Sequence, residues 1–432
     1  MNNYRPISLI PVIGKLFEKL INKQLTKFLS KTTKLDENQF GFQSKSSTDA
    51  ALSQVLHNIN KHTDKGEYVS VLFIDLRKAF DLVNHTLLVD TLEELGIRGL
   101  ASQLFKSYLR NRKVSTKIGN VLSESEVMTS GVPQGSVLGP TLYLLYINSL
   151  QYLGMKGEST IYADDTCLLY HGKRKNEIED QMKNDLTKYL AWLAGNELVI
   201  NSTKTNYMIF KPQIKPEINL NLKINSVIIQ RTTSTKYLGV ILDDKLNWRE
   251  HIDSIKRKVN SLVGALKRCP SFNKQVATLV YNGHILSKIR PNILIWGQCT
   301  ETLYNEVQRL MNRALKILFK FDWLTPSASL PGLTNTFNLK EITKLERCKF
   351  IYKISKKEIK TNITLTRHEN QHSHFTRNRR NFVRIESETD RMFKDIVNVS
   401  QDEFNKLPNT TKEVHNLGLF TKLVKRRIIA SR

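Results

Sequence analysis

Two adjacent carboxylates, Asp164 and Asp165, stand inside a stretch that is otherwise apolar, TIYADDTCLLY from Thr160 to Tyr170. This feature constrains the fold most, because charges held against a core need compensation. The flanks read as two short strands, so the acids fall at the bend of a hairpin. Adjacent acids at a turn are ordinarily a hydrophilic bend, but Ile161, Leu168 and Leu169 argue for partial burial. A divalent cation supplies the missing compensation, and Mg²⁺ takes a few carboxylates together with phosphate oxygens. A third acid is delivered in the same manner. VSVLFI, Val69 to Ile74, is a short continuous apolar run that reads as a buried strand, and it ends on Asp75. Two-metal phosphoryl transfer requires carboxylates converging on ions roughly 4 Å apart. A strand-end Asp75 beside a hairpin bearing Asp164 and Asp165 would supply them.

Between these lies GVPQGSVLGP, Gly131 to Pro140, a Gly- and Pro-rich turn running into an apolar helix. It reads either as an ordinary loop and helix start or as a ligand loop. In the second case Gln134 is a candidate amide for a nucleotide, and the glycines let backbone approach a ligand. The spacing predicts further helices over 12–29, from about Thr86, over Glu177 to Leu193, and from Trp248 onward. In the first, Val12, Ile13, Leu16, Phe17, Leu20, Ile21, Leu25 and Phe28 fall on one side. Lys15, Lys19, Lys23 and Lys27 fall on the other, either a solvated face or a nucleic-acid face. Strands are predicted at Tyr207 to Phe210 and at Tyr237 to Leu242. His368, His372 and His374 read as part of a polar basic surface more readily than as a metal site, since no cysteine or acidic constellation accompanies them.

Composition narrows the partner. The 432 residues carry 66 Lys and Arg against 40 Asp and Glu, a net charge of +26. Such a surplus points to a polyanion, nucleic acid before an anionic membrane. Residues 340–432 hold 22 basic and 11 acidic side chains, so this stretch alone carries +11. The four cysteines lie at least 30 residues apart, which excludes a short zinc-ligand spacing and fits a reducing compartment. The longest apolar stretch, Val137 to Leu150, is interrupted by Gly139, Pro140 and Asn148 and is too short to span a bilayer.

Read in order, the blocks resemble the reverse transcriptase of non-LTR, LINE-type retrotransposons. NYRPISL (Asn3 to Leu9), QFGFQSKSST (Gln39 to Thr48), FIDLRKAFDLVNH (Phe73 to His85), GVPQGSVLGP and YADD are similar to the family's successive blocks. NSTKT (Asn201 to Thr205) and TKYLGVIL (Thr235 to Leu242) are similar to its later ones. The resemblance implies an α+β fold of the right-hand polymerase kind, with a small antiparallel palm sheet backed by helices. Partial fingers would cover 1–65, the palm 66–245, a helical thumb 246–330, and a basic, mainly helical RNA-binding segment 331–432. It implies RNA-templated extension of a DNA primer with dNTPs and two Mg²⁺ ions, for which Mn²⁺ is a possible substitute.

The resemblance also assigns roles. Asp75, Asp164 and Asp165 would hold the metals. Phe80 would gate against a ribose 2′-OH, Gln134 would contact the nucleotide, and Lys204 would lie near the triphosphate. Lys45 and Arg5 complete the nucleotide-binding set, while Tyr237, Leu238 and Gly239 would support the primer end. Asp81 and His85 rank as structural. Where the family's fingers block usually carries arginines, this chain has Gln43 and Ser46, leaving Lys45 as the nearby base. The chain opens almost at NYRPISL, so a fragment or partly decayed copy of a longer element protein is expected, residing in nucleus or cytoplasm with its RNA. Two rivals stand beside the enzyme: a group II intron-type maturase and a non-catalytic RNA-binding remnant.

Overall fold

A computed structural model describes residues 6–32, 35–269, 272–368 and 380–432. Arg5, His372 and His374 lie outside the described residues. The chain divides into two units, each discontinuous in sequence. Met1–Ser46, Ser70–Tyr207 and Pro216–Arg231 form the first; Ser47–Val69, Met208–Lys215 and Thr232–Arg432 form the second.

The first unit is α+β. It holds most of a sheet of order β11-β8-β1-β7-β6, with β1 Tyr68–Ile74, β6 Glu158–Tyr162, β7 Asp165–Gly172, β8 Asn206–Phe210 and β11 Gln230–Arg231. Every residue of β1 is buried, as its unbroken apolar run requires. β6 and β7 pair antiparallel, whereas the short edge strand β11 runs parallel to β8. The helices are α1 Val12–Thr32, α3 His85–Glu94, α4 Leu100–Leu109, α5 Gly139–Tyr146 and α6 Lys175–Gly195. An exposed ribbon between α4 and α5 pairs β2 Lys113–Val114 with β5 Glu126–Val127 and β3 Lys117–Ile118 with β4 Val121–Leu122. A second small hairpin pairs β9 Lys223–Ile224 with β10 Val227–Ile228.

The first helix corrects an expectation. Its extent is close to the predicted one, but Val12, Ile13, Leu16, Phe17 and Leu20 are each more than half exposed. The inward face carries Leu25, Leu29 and the carboxylate of Glu18, all nearly fully buried. Glu18 Oε2 accepts the amides of Val137 at 2.6 Å and Leu138 at 3.4 Å, and Oε1 accepts the Tyr108 hydroxyl at 3.0 Å. These amides open α5, where free N–H groups and the positive end of the helix favour an anion. Hydrophobic periodicity could not anticipate a helix seated on a charge.

The second unit is mainly helical. Its helices are α2 Thr48–Asp64, α7 Arg249–Leu266, α8 Lys274–Val280, α9 Ser287–Ile289, α10 Ile293–Trp296, α11 Glu301–Leu318 and α12 Leu330–Thr334, followed by α13 Leu339–Ser355, α14 Asp390–Phe393, α15 Ile396–Asn405, α16 Asn409–Lys412 and α17 Leu417–Ala430. α7, expected as a helix from Trp248 onward, buries one stripe of Ile252, Ile255, Val259 and Val263, with Leu262 and Leu266 at its half-buried margin. α2 is buried on nearly all sides and packs against α10, α14 and α15. His57 and Asn60 of α2 both reach Asp395, at 3.1 and 2.9 Å, and Asp395 is fully buried. The strand expected at Tyr237 to Leu242 is instead a hairpin, β12 Ser234–Tyr237 with β13 Val240–Asp243. Leu238 (φ 44°) and Gly239 (φ 85°) make its turn, and positive φ at both positions suits a two-residue connection between twisted strands.

Candidate active site

Asp75 follows the last residue of β1 and is half-buried. The loop between α6 and β8 holds it in three ways. Its carbonyl accepts the Asn201 amide at 2.8 Å, its carboxylate Oδ2 accepts Asn201 Nδ2 at 2.8 Å, and its own N–H reaches Thr205 Oγ1 at 3.4 Å. Lys204 belongs to this same loop and is exposed, its backbone N–H donating to the Asn201 carbonyl. The NSTKT block therefore braces the first acid and carries the lysine together.

Asp164 and Asp165 occupy the turn between β6 and β7, where Tyr162 pairs with Asp165. Both are half-buried, and Ala163 before them is left-handed at φ 58°. The turn rests on the segment around Gln39. Gln39 Oε1 accepts the amides of Gly41 at 2.7 Å and of Ala163 at 3.0 Å. A Cβ on Gly41 would stand 2.4 Å from the Ala163 nitrogen, so only glycine permits this approach. β1 lies beside β7 in the sheet, which makes the strands bearing Asp75 and Asp165 neighbours.

The Asp75 block also contributes one ring of an aromatic pair. Phe80, five residues after Asp75, stacks on Tyr143 of α5 with centroids 4.4 Å apart and meets Phe42 edge-on at 6.1 Å. Tyr143 is fully buried, and its hydroxyl has no hydrogen-bond partner among the described residues. Burial pushes this phenol well above its ordinary pKa, and the negative charges of Asp164 and Asp165 push it further. The tyrosine is thus neutral, and it backs the ring expected to gate the ribose.

The block after Asp75 is sewn to the Gly-rich loop. Gly131 N–H donates to the Val83 carbonyl at 2.7 Å, and Val132 N–H to the Phe80 carbonyl at 2.8 Å. His85 Nε2 lies 2.8 Å from the Gly131 carbonyl oxygen, and Ser130 Oγ donates to the Asp81 carbonyl at 3.1 Å. Gln134 is half-buried, and its Nε2 donates to Asp81 Oδ1 at 3.0 Å. Lys45 is exposed and left-handed at φ 59°. Sequence reasoning assigned no role to Gln39, Gly41, Tyr143 or Asn201. Three of them sit inside quoted blocks, so the signal was the block, while the contact that explains each residue is long-range.

In the second unit, Tyr237 is buried, and the Leu238 carbonyl accepts Asn292 Nδ2 at 3.3 Å. Lys256 of α7 is paired with Glu306 at 2.6 Å and Asp253 at 3.2 Å. Arg257, Lys258, Lys267 and Arg268 remain exposed, as do Lys422, Lys425, Arg426 and Arg427.

The family described as reverse transcriptase (RNA-dependent DNA polymerase) matches residues 1–242. The chain belongs to the reverse transcriptase family. Its similarity to non-LTR retrotransposon members extends over most of its length. A probable RNA-directed DNA polymerase from transposon BS of Drosophila melanogaster is 31% identical over 73% of this chain and 36% of its own. The X-element counterpart of the same fly is 28% identical over 76% and 37%. The RNA-directed DNA polymerase from mobile element jockey of Drosophila funebris is 30% identical over 75% and 36%. The chain thus spans about a third of the length of these curated relatives. A solved apo telomerase from Candida tropicalis is 11% identical over 77% of this chain and 53% of that one, with a TM-score of 0.42. The α+β build of this reverse transcriptase family member is the one its blocks imply, and among the described residues no helix is long and apolar enough to cross a membrane.

Proposed function

We propose that the protein is an RNA-directed DNA polymerase of a non-LTR retrotransposon. The observation that supports this best is the adjacency in the sheet of β1, which ends one residue before Asp75, and β7, which begins at Asp165 next to Asp164. Three half-buried carboxylates are the oxygen donors a hard divalent cation takes, so Asp75, Asp164 and Asp165 fit two Mg²⁺ ions. When bound, such ions lower the pKa of a hydroxyl and neutralise triphosphate charge. The chain's residues do the rest by positioning. The primer 3′ oxygen bonds to the α-phosphorus of the dNTP, and the bond to pyrophosphate breaks. Phe80, held flat on Tyr143, excludes a 2′-OH, Gln134 contacts the nucleotide, and Lys204 helps protonate the departing pyrophosphate. Lys45 and Arg5 add charge on the triphosphate side.

In this reading the palm comprises 66–245 and the partial fingers 1–65. The helical thumb, 246–330, supports the primer end with the Tyr237–Leu238–Gly239 turn before it. The segment 331–432 grips template RNA, and the particle resides in the nucleus or cytoplasm. Primer extension on poly(rA)/oligo(dT) with Mg²⁺ tests it. Incorporation of dTMP is expected, and salt-sensitive RNA binding without incorporation would replace the enzyme with the binding remnant.

A further inference from the structure

Gln134 is held to its surroundings from two directions. Its backbone carbonyl accepts the Ser8 amide at 2.7 Å, and its side chain is held by Asp81. An ionised carboxylate only accepts hydrogen bonds. It therefore decides which end of the Gln134 amide faces it, drawing Nε2 inward and leaving Oε1 for whatever lies beyond. Asp81 is itself fixed without its carboxylate. Its N–H donates to the Lys78 carbonyl at 2.8 Å, and its carbonyl accepts Ser130 Oγ. Its backbone also lies flush under Gly131, where a Cβ would come within 2.8 Å of the Asp81 oxygen and the φ of +88° suits glycine. Among the described residues, the Asp81 carboxylate has one hydrogen-bond partner, the Gln134 amide.

We propose that Asp81 is a positioning residue that locks the Gln134 amide so that its carbonyl oxygen faces the incoming nucleotide. The contact then selects a hydrogen-bond donor on the dNTP. This rests on the reading of Gln134 as a nucleotide contact. An Asn at 81 offers a donor as well as an acceptor, so Gln134 could sit in either orientation.

The experiment is a double-mutant cycle in steady-state primer extension on poly(rA)/oligo(dT) with dTTP, using Asp81→Asn, Gln134→Met and the pair. D81N is expected to raise KM for dTTP roughly tenfold with kcat changed less than twofold, the size of one lost charge-assisted hydrogen bond. Primer–template affinity should hold. Q134M should raise KM comparably, and the double variant should be no worse than Q134M alone. Asp81→Ser, which removes the carboxylate without adding bulk, carries the same comparison should D81N fold poorly. If D81N adds its full factor in the Q134M background, or leaves KM unchanged while Q134M raises it, the positioning role is overturned and the Gln134 contact survives. If Q134M itself leaves KM unchanged, the nucleotide reading of Gln134 fails first, and the two failures are told apart.

Discussion

At the scale of single residues, the three acids and the aromatic pair carry the sharpest expectations. Asp164→Asn should abolish extension, because an amide removes one anionic ligand while keeping the volume of the turn. Gel-shift affinity for RNA should stay within about twofold, since phosphate contacts from Lys and Arg dominate that term. Retained extension would falsify the metal assignment. Phe80→Val should admit ribonucleotides, since it opens the face that Tyr143 backs. The measurement is the ratio of kcat/KM for dTTP to that for UTP, expected to fall by tenfold or more if a bulky ring is what excludes the hydroxyl.

At the scale of elements, two small packing facts govern the β6–β7 hairpin and the start of α7. Gly41→Ala should displace the Ala163 turn, since no side chain fits 2.4 Å from a backbone nitrogen. Loss of extension with a thermal midpoint lowered by several degrees is expected, as is usual for an overpacked core. His251, at the start of α7, accepts the Ile241 amide through Nδ1, and burial beside Lys258 holds its pKa down at about 4. The native state favours the neutral ring, so the unfolded chain binds more protons between pH 4 and the ordinary 6.5. This stability is fully present above pH 6.5 and is lost as pH falls toward 4. Melting curves of His251→Gln and parent at pH 7 and pH 5 should show the smaller acid loss in the variant.

How far the sequence could be read follows from the same elements. β1, β6, β7, α6 and α7 were legible because each shows its own period or an unbroken apolar run. The hairpin at Leu238 and Gly239 was not, because an apolar run across a two-residue turn looks like one strand. α1 was legible in extent and misleading in facing, since its partner is a set of amides supplied by residues 137 and 138. The acids were legible at a strand end and a hairpin bend, but Gln39 and Asn201, which brace those positions, announce themselves only through contacts more than 120 residues away.

At the scale of the whole molecule, the +26 predicts association that weakens steeply with salt. Reversing Lys422, Lys425, Arg426 and Arg427 to Glu should flatten the slope of log K against log salt, and filter binding between 50 and 200 mM salt measures it. Some basic side chains of the C-terminal stretch are engaged within the fold: Arg380 by Glu413, Arg432 by Glu341, and Arg384 over the Phe393 ring. The exposed lysines and arginines of α7 and α17 are therefore a better guide to the polyanion surface than the count alone.

The burial of α2 has a temporal meaning. The helix leaves the ribosome well before Asp395, which receives its His57 and Asn60 and follows 338 and 335 residues later. At typical synthesis rates of about 5–20 residues per second, that is a wait on the order of tens of seconds. During it, a segment built to be covered on nearly every side lacks the part of its native cover that α14 and α15 supply. Nascent chains should therefore be most vulnerable to chaperone capture or to association with one another before α15 emerges, and a ribosome stalled just short of it would hold the second unit open.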